Sequence, residues 1–513
     1  MCNGRTLEEW QASCVRYLLA SGVAELKVLV IDKTAGAPPP SLLQTPFRRW
    51  LYTLYRRTWF IQAPRRPVDM QSVFSDVATI TPEVTVKGRF SQYFDDESLK
   101  TIRSHDLDFL LRFGFNIVRG EILSIARYGV WSFHHADVEK YRGSPAGFWE
   151  IYHGDPVTGA ILQRLTERLD GGIVLRQGHL KTVDYSYVRN IHSVYHESAA
   201  WPALVCQDIR NGDTTALAGS PSGSTAPIYY PPSNLQLLRF AGKIGWNRVR
   251  RRREAQVRQL AIGVVDGEVA SFLEPDFNPS LQEVDVPTGV IVSNLNSVTV
   301  LGDGAIVFTG RDHLDDTPYT IFADLSFTEG RWSFVEKTKI RQNTSAFAAE
   351  FVFDHAGSIY GIFKSSAGSG IELYSLDPAK DQWQKEIVLI KDIDVSHPTV
   401  FQYEDRWWLF GIDNRFGGGH RLVVYYADDL KGAWQSHSAN PVKIDIRSSQ
   451  PAGPHFFHDG DLYRPVLNGA VVPRPHAVVN RVLSLSPAEF AEETVREIRP
   501  AAIAGPRLVP LVQ

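Results

Sequence analysis

Residues 113–175 read FGFNIVRGEILSIARYGVWSFHHADVEKYRGSPAGFWEIYHGDPVTGAILQRLTERLDGGIVL, and this run decides the first half of the chain. Within it, YGVWSFHH (128–135) is an apolar strand that ends in two histidines. Upstream, AELKVLVI (24–31) and LDFLLRF (107–113) read as buried strands by their apolar runs. A helix is expected around Glu121 to Arg127, between the last two strands. LEEWQASCVRYLLA (7–20) is a helix with Leu7, Trp10, Cys14, Tyr17 and Leu18 on one face. Alternation of this kind predicts an α/β domain with a parallel sheet, over residues 1–212. Such a domain normally opens on a strand, whereas this chain opens on a helix, so either the first strand is missing or the sheet is trimmed.

Active sites of α/β sheets lie at the carboxyl ends of strands, which singles out residues 132–135. His134 and His135 point to opposite sides of their strand, so at most one faces a given cleft. An Asp170-Gly171-Gly172 turn joins the runs ILQRLT and IVLRQG, and a glycine-flanked aspartate can approach a ligand closely. A lone histidine and a lone aspartate are, taken by themselves, more often structural than catalytic.

At 513 residues the chain is long enough for two or more domains. With 43% hydrophobic residues, 22% charged residues and a net charge of −3, the composition is that of a globular protein, and it lends no support to a nucleic-acid partner. Cys2, Cys14 and Cys206 fit neither a disulfide framework nor a zinc spacing, so no metal site and a reducing, cytoplasmic compartment are expected. No apolar run reaches the ~18 residues of a spanning helix. The N-terminus lacks the apolar core of a signal peptide.

DTTALAGSPSGSTAPIYYPPSN (213–234) has the Ser, Thr, Gly and Pro content of a linker, and KIGWNRVRRRREAQVR (243–258) follows as a basic stretch. Residues 213–254 are therefore expected as linker and basic helix. Beyond them the texture changes to short β-rich runs that repeat. AIVF (305–308), IYGIF (359–363), WWLF (407–410) and LYRPV (462–466) each follow a turn, at a spacing of roughly 50 residues, the period of a four-stranded propeller blade. Tyr374 and Trp383 recur as Tyr425 and Trp434. A five-bladed, all-β propeller over 255–513 is expected, with residues 255–300 as its first blade.

The order Ser132-Phe133-His134, Arg142-Gly143, Pro145, a helix at Phe148-Trp149-Glu150, Thr158-Gly159 and Leu169-Asp170-Gly171-Gly172 resembles the formyltransferases that use 10-formyltetrahydrofolate. That family includes methionyl-tRNA formyltransferase and the sugar N-formyltransferases. The likeness covers about 60 residues, and the α/β context extends it to about 1–210. It implies a Rossmann-like formyltransferase fold with 10-formyltetrahydrofolate as donor. His134 would stabilise the oxyanion on the formyl oxygen, and Asp170 would orient His134 and help move the amine proton. Ser132 takes the position of the family's asparagine. By the same resemblance, backbone from Phe115 through Val118 to Leu123, and the turn of Arg168, Leu169, Gly171 and Gly172, would line the pterin slot. His135, Arg142 and Gly143 would meet the acceptor. The chain departs from the pattern at Ser132, which reaches less far than an amide, and at Ala136-Asp137-Val138-Glu139, where the family has Ser-Leu-Leu-Pro. The acidic loop either receives a cationic amine or marks a site that no longer transfers formyl groups. His135 either offsets the lost asparagine or packs in the interior.

His397-Pro398-Thr399, Arg406 to Gly411, Tyr425 to Asp428, Gly432-Ala433-Trp434, Asn440-Pro441-Val442 and Gly460 to Pro465 resemble the furanosidase-type propeller, and more closely that of the glucosamine inositolphosphorylceramide transferases. Carbohydrate binding is the expectation for this half. Glu350, Asp413 and Asp428 are acids in plausible positions for a glycosidase, which needs two flanking carboxylates, but the sequence does not pair them. The function expected is N-formyl transfer to an amino-sugar-type acceptor, small molecule or glycan. The alternatives are a propeller-borne glycosidase or glycosyltransferase, and a non-catalytic glycan binder. Finally, FRRWLYTLYRRTWF (47–60) sets Phe47, Trp50, Leu51, Leu54 and Tyr55 on one helical face with arginines outside it. It reads either as a solvated helix packed on its domain or, with Arg248 and Arg250 to Arg253, as a peripheral patch for anionic membrane lipid.

Overall fold

A computed structural model describes residues 1–33, 45–58, 63–88, 90–168, 171–221 and 223–254 of the first half. In the second half it describes 263–264, 269–274, 277, 282–285, 290–302, 304–312, 318–341, 349–365, 369–377, 379–471 and 476–498. The chain divides into two compact units, Met1–Arg250 and Arg251–Gln513.

The first unit is α/β. Its elements in chain order include α1 (Glu9–Ala20), β1 (Val28–Val30), α2 (Trp50–Thr58), β2 (Ala78–Ile80), α3 (Asp96–Arg103), β3 (Leu110–Arg112), β4 (Val130–His134), α4 (Phe148–His153), β5 (Val157–Arg164), β6 (Ile173–Lys181), α5 (Tyr187–Ala199), α6 (Trp201–Arg210) and α7 (Asn234–Glu254). β1 pairs in parallel with β2, and β3 in parallel with β4. The wholly parallel sheet expected is not what forms, since β5 runs antiparallel to both β4 and β6. The link from β5 to β6 is only 165–172, too short for the crossover that parallel neighbours need.

The chain does not open on a helix. Cys2 N donates to Val30 O at 2.9 Å, Asp32 N to Cys2 O at 3.0 Å, and Phe113 N to Met1 O at 2.8 Å. Met1 and Cys2 thus knit β1 to β3, and Thr6–Glu8 pairs with Pro67–Asp69 before α1 begins. The helix expected at 121–127 is a single 3-10 turn, Gly120–Ser124, confined between Gly120 and Gly129, which both have positive φ.

One face of the sheet is covered by α3, with Leu99 and Ile102 against Val30, Leu110 and Val130. The other carries an aromatic core of Trp10, Phe148, Trp149, Tyr187 and Phe240. Phe240 comes from α7, and its ring stacks on Phe148 at 4.1 Å. Residues 213–254 are therefore not a free linker. Ser224 Oγ donates to Val138 O at 2.7 Å, Ile228–Tyr229 pairs with Arg142–Gly143, and Lys243 Nζ donates to Tyr152 O at 3.0 Å. Leu237 and Phe240 bury here because the aromatic core has no other cover on that side.

The second unit is β throughout its described sheets. Four antiparallel meanders follow one another, at 290–341, 351–391, 395–444 and 450–498. The repeated apolar runs are the second strands of the four, Ile306–Asp312, Ser358–Lys364, Arg406–Asp413 and Asp461–Asn468. First strands of successive sheets run beside one another, 290–300 by 351–355, 351–355 by 395–403, and 395–403 by 450–451. That is the propeller-type relation, in which each sheet covers its neighbour. Within the second of these sheets Gly361 has no room for a side chain, since a Cβ there would lie 2.7 Å from the Phe363 ring and 2.9 Å from the Trp383 ring. Among the described residues there are four sheets rather than five. Residues 290–300, expected within a separate first blade at 255–300, pair with Ile306–Asp312, while 263–264 and 282–285 extend the outer edge of that same sheet.

Candidate functional site

β4 carries Ser132 into the sheet opposite Arg112 of β3 and Gln163 of β5. Side-chain alternation then gives Ser132 and His134 one face, and Phe133 and His135 the other. Ser132 is buried, and Arg112 Nη1 donates to its Oγ at 2.8 Å. Arg112 Nη2 also donates to Phe115 O at 3.0 Å and to Asn116 O at 2.5 Å. Its enclosed Nε has no partner among the described residues, and burial brings its pKa down to about 10. The guanidinium is still charged at neutral pH, and it bonds to Ser132, the residue at the position of the pattern's asparagine. His134 is half-buried, with Nε2 3.2 Å from Tyr141 O.

The site continues as a polar network. Asn116 N donates to Gln92 Oε1 at 2.6 Å, and Gln92 Nε2 to Asp32 Oδ2 at 3.4 Å. Asp32 and Gln92 are both buried beside the carboxyl ends of β1 and β3. Sequence reasoning missed Arg112, Gln92 and Asp32. A charged residue at the end of the apolar run LDFLLRF was the available clue for Arg112.

His135, expected to meet the acceptor, is turned to the other face of the sheet from Ser132 and His134. It lies on the aromatic face against Trp10, with ring centroids 5.1 Å apart, and Tyr195, at 4.2 Å, and its Nε2 is 3.1 Å from Ser198 Oγ. Burial, with the charges of His134 and Arg65 adding to it, holds its pKa well below the usual imidazole range. The side chains of Phe115 and Val118 are buried in the α3-side core, with Leu123 packed against it, so only backbone of that segment is open to a ligand role. Phe115 adopts φ 64.

Arg142 is half-buried, its Nη1 3.5 Å from Ala226 O. Gly143 has φ +91, and a Cβ there would lie 2.2 Å from Tyr229 O, so strand pairing accounts for this glycine. Leu169 and Asp170 lie outside the described residues, and Arg168 is exposed. Gly171 and Gly172 are buried, and a Cβ on Gly172 would lie 2.4 Å from Gln163 Oε1. Gly172 thus lies against the side chain of the β5 residue that pairs with Ser132.

Glu150 of α4 is 1% exposed, and its Oε1 has no partner among the described residues. Burial, together with the carboxylates of Asp155 and Asp137, pushes its pKa to about 8. A cavity of about 780 Å³ lies elsewhere, lined by α1, α6 and the amino ends of β1 and β3, including Leu7, Leu18, Leu26 and Leu107. Among the described residues no group of three His, Cys, Asp or Glu is set to hold a metal ion. Cys2, Cys14 and Cys206 are buried free thiols.

In the second unit the three acids separate. Asp413 is 1% exposed and held by Arg415 through two bonds of 2.9 Å, with Arg421 3.7 Å away. Asp428 is 87% exposed beside Arg406. Glu350 Oε2 accepts from His397 N at 3.4 Å, linking the second and third sheets where His397 adopts φ 54.

Comparison with known proteins gives two kinds of likeness. A family model described as glucosamine inositolphosphorylceramide transferase 1, N-terminal, matches residues 339–500. The chain is 29% identical over 157 residues to a methionyl-tRNA formyltransferase of Thermodesulfovibrio yellowstonii, which covers 30% of this chain and 48% of that protein. It is 23% identical over 248 residues to the one of Clostridium perfringens strain SM101, covering 47% and 74%. The chain thus spans about half the length of the first of these relatives. Among solved structures, an exo-β-1,3-galactanase of Phanerochaete chrysosporium matches with TM-score 0.30 and 12% identity, over 40% of this chain and 51% of that one. A xylan β-1,4-xylosidase of Bacillus halodurans C-125 matches with TM-score 0.29 and 15% identity, over 41% and 47%. The chain is, at the level of sequence, formyltransferase-like, and its second unit is matched in part by the glucosamine inositolphosphorylceramide transferase 1 N-terminal family model.

Proposed function

We propose that the first unit transfers a formyl group from 10-formyltetrahydrofolate to the amine of an amino-sugar-type acceptor, and that the second unit binds glycan. The observation that carries this reading is the end of β4, where Ser132 and His134 share a face and Arg112 Nη1 lies 2.8 Å from Ser132 Oγ. A charged guanidinium with an unsatisfied N–H, a hydroxyl and an imidazole form a donor set suited to a developing oxyanion. The donor molecule supplies an activated formyl carbon. Arg112 and Ser132 stabilise negative charge on the formyl oxygen as the acceptor nitrogen attacks, His134 adds a further donor, and Asp170 orients His134 and helps move the amine proton to N10 of the donor as the bond between N10 and the formyl carbon breaks and tetrahydrofolate leaves. Arg112 takes over the compensating role that the sequence left to His135.

Binding rather than hydrolysis is favoured for the second unit. Hydrolysis needs two carboxylates flanking the scissile bond, and Asp413 is neutralised by Arg415 while Asp428 is exposed beside Arg406. The test is to incubate the full chain with 10-formyltetrahydrofolate and a panel of amino-sugar nucleotides and glycans. Tetrahydrofolate release that depends on acceptor is expected. Absence of both release and calorimetric folate binding sinks the proposal. Sugar release or transfer surviving removal of residues 1–250 favours the enzyme in the second unit instead.

A further inference from the structure

Two helices of the first unit turn apolar side chains outward beside a concentration of arginines. On α7 the unit takes Leu237, Phe240 and Asn247, all buried, and Ile244 packs beside them. A second stripe on the same helix remains exposed: Leu235 at 58%, Leu238 at 60%, Trp246 at 65% and Val249 at 46%. These positions recur at helical spacing, and Gly242 and Gly245 between them have open space around them.

α2 and the turn before it repeat the arrangement. The unit takes Tyr52, with Tyr55 packed beside it, and leaves Phe47 at 73% exposure, Trp50 at 37%, Leu51 at 38% and Leu54 at 44%. The two stripes adjoin, because Leu51 N donates to Asn234 Oδ1 at 3.0 Å and Asn234 Nδ2 to Phe47 O at 2.8 Å. The apolar face read from FRRWLYTLYRRTWF is thus mostly presented outward rather than packed on the domain.

The charge around the stripes has one sign. Residues 47–58 hold four arginines and no acid, and residues 234–254 hold six arginines, one lysine and only Glu254. Lys243, Arg248 and Arg250 bond within the unit, to Tyr152 O, Tyr185 O and Asp184. Arg48, Arg56, Arg239 and Arg252 make no ion pair among the described residues and are exposed.

We propose that this face docks on an anionic lipid bilayer, with the two helices lying in its surface plane. An exposed apolar patch of this kind marks an interaction surface. Tryptophans beside arginines suit the boundary between acyl chains and headgroups. A second copy of the chain would set arginines against arginines, and a nucleic acid would leave Leu235, Leu238 and Val249 without apolar cover. No helix among the described residues is long and apolar enough to cross a membrane, so the contact is peripheral.

Flotation of the full chain with phosphatidylcholine vesicles, with and without about one third phosphatidylserine, tests this. Binding to the anionic vesicles alone is expected, weakening as salt rises. Each arginine replaced should lower partition about fivefold, so Arg48→Gln/Arg56→Gln/Arg239→Gln together should lower it on the order of 100-fold. Leu238→Ser/Trp246→Ser should lower it at least ~10-fold with charge unchanged. Circular dichroism should match the unaltered chain in both variants, since every altered side chain is exposed. No flotation of the unaltered chain, equal binding to both vesicles, or binding indifferent to both variants overturns the proposal. So does a dimer in sedimentation equilibrium that Trp246→Ser dissolves, or preferential capture of duplex DNA.

Discussion

Arg112 reaches Ser132 Oγ and two backbone carbonyls with one planar fork, a geometry that an ammonium on a flexible stem does not reproduce. Arg112→Met keeps the length of the side chain and removes the donors, so turnover with 10-formyltetrahydrofolate and acceptor should fall on the order of 10²- to 10³-fold. Fluorimetric or chromatographic tetrahydrofolate release measures it. His135 makes the opposite case. Its ring lies among Trp10, Phe133 and Tyr195, so His135→Phe should keep turnover within about twofold of the starting enzyme. A large loss would return His135 to the acceptor site. Glu150 gives a pH dependence. Its folded pKa, raised to about 8, exceeds the ordinary glutamate value of 4.5, so the folded state holds the proton that the unfolded chain releases. Its contribution is complete below about pH 4.5 and is lost progressively as pH rises to about 8. Glu150→Gln removes that titration, and the variant should melt several degrees above the unaltered chain at pH 8 and about level with it at pH 5. Thermal circular dichroism at the two pH values checks the sign.

At the scale of elements, the strand pair formed by Arg142–Gly143 and Ile228–Tyr229 ties the region of low complexity back to the α/β unit. Gly143 permits it, with φ +91 and no room for a Cβ against Tyr229 O. Gly143→Ala should destabilise the first unit by about 2 kcal/mol or more. Gly212 has φ +89 with nothing within 4 Å of the added atom, so Gly212→Ala should cost only about 1 kcal/mol. Urea unfolding of the two variants separates the clash from the conformational term. Apolar periodicity revealed α1 and the three buried strands, because burial on the sheet leaves a long signature. The turn at 120–124 escaped it, since five residues between glycines carry too little pattern to distinguish an α-helix from a 3-10 turn. Strand direction escaped it too: a buried run looks the same whichever way its neighbour points, and the length of the 165–172 link was the only trace.

For the whole molecule, the division between the two compact units falls between Arg250 and Arg251 in the chain, well past the end of the α/β pattern near residue 212. Phe240 of α7 completes the aromatic core over Phe148, so a piece ending at 254 should melt cooperatively. A piece ending at 212 loses Leu237 and Phe240 and should be less stable by at least about 4 kcal/mol, or fail to accumulate. Expression and thermal melts of the two pieces decide this. Residue order alone determined that an α/β half precedes a β-repeat half. It also determined that Ser132 and His134 end a buried strand, and that the tryptophan-bearing runs recur at blade spacing, because periodicity and turn chemistry are local. Only the tertiary structure decided that Arg112 answers Ser132, that His135 belongs to the aromatic core, that Asp413 is bound to Arg415, that residues 290–300 complete a neighbouring sheet, and that the arginine-rich helices keep an apolar stripe outside. Each of these depends on which face of an element its neighbours cover, and that is set by packing between segments far apart in the chain.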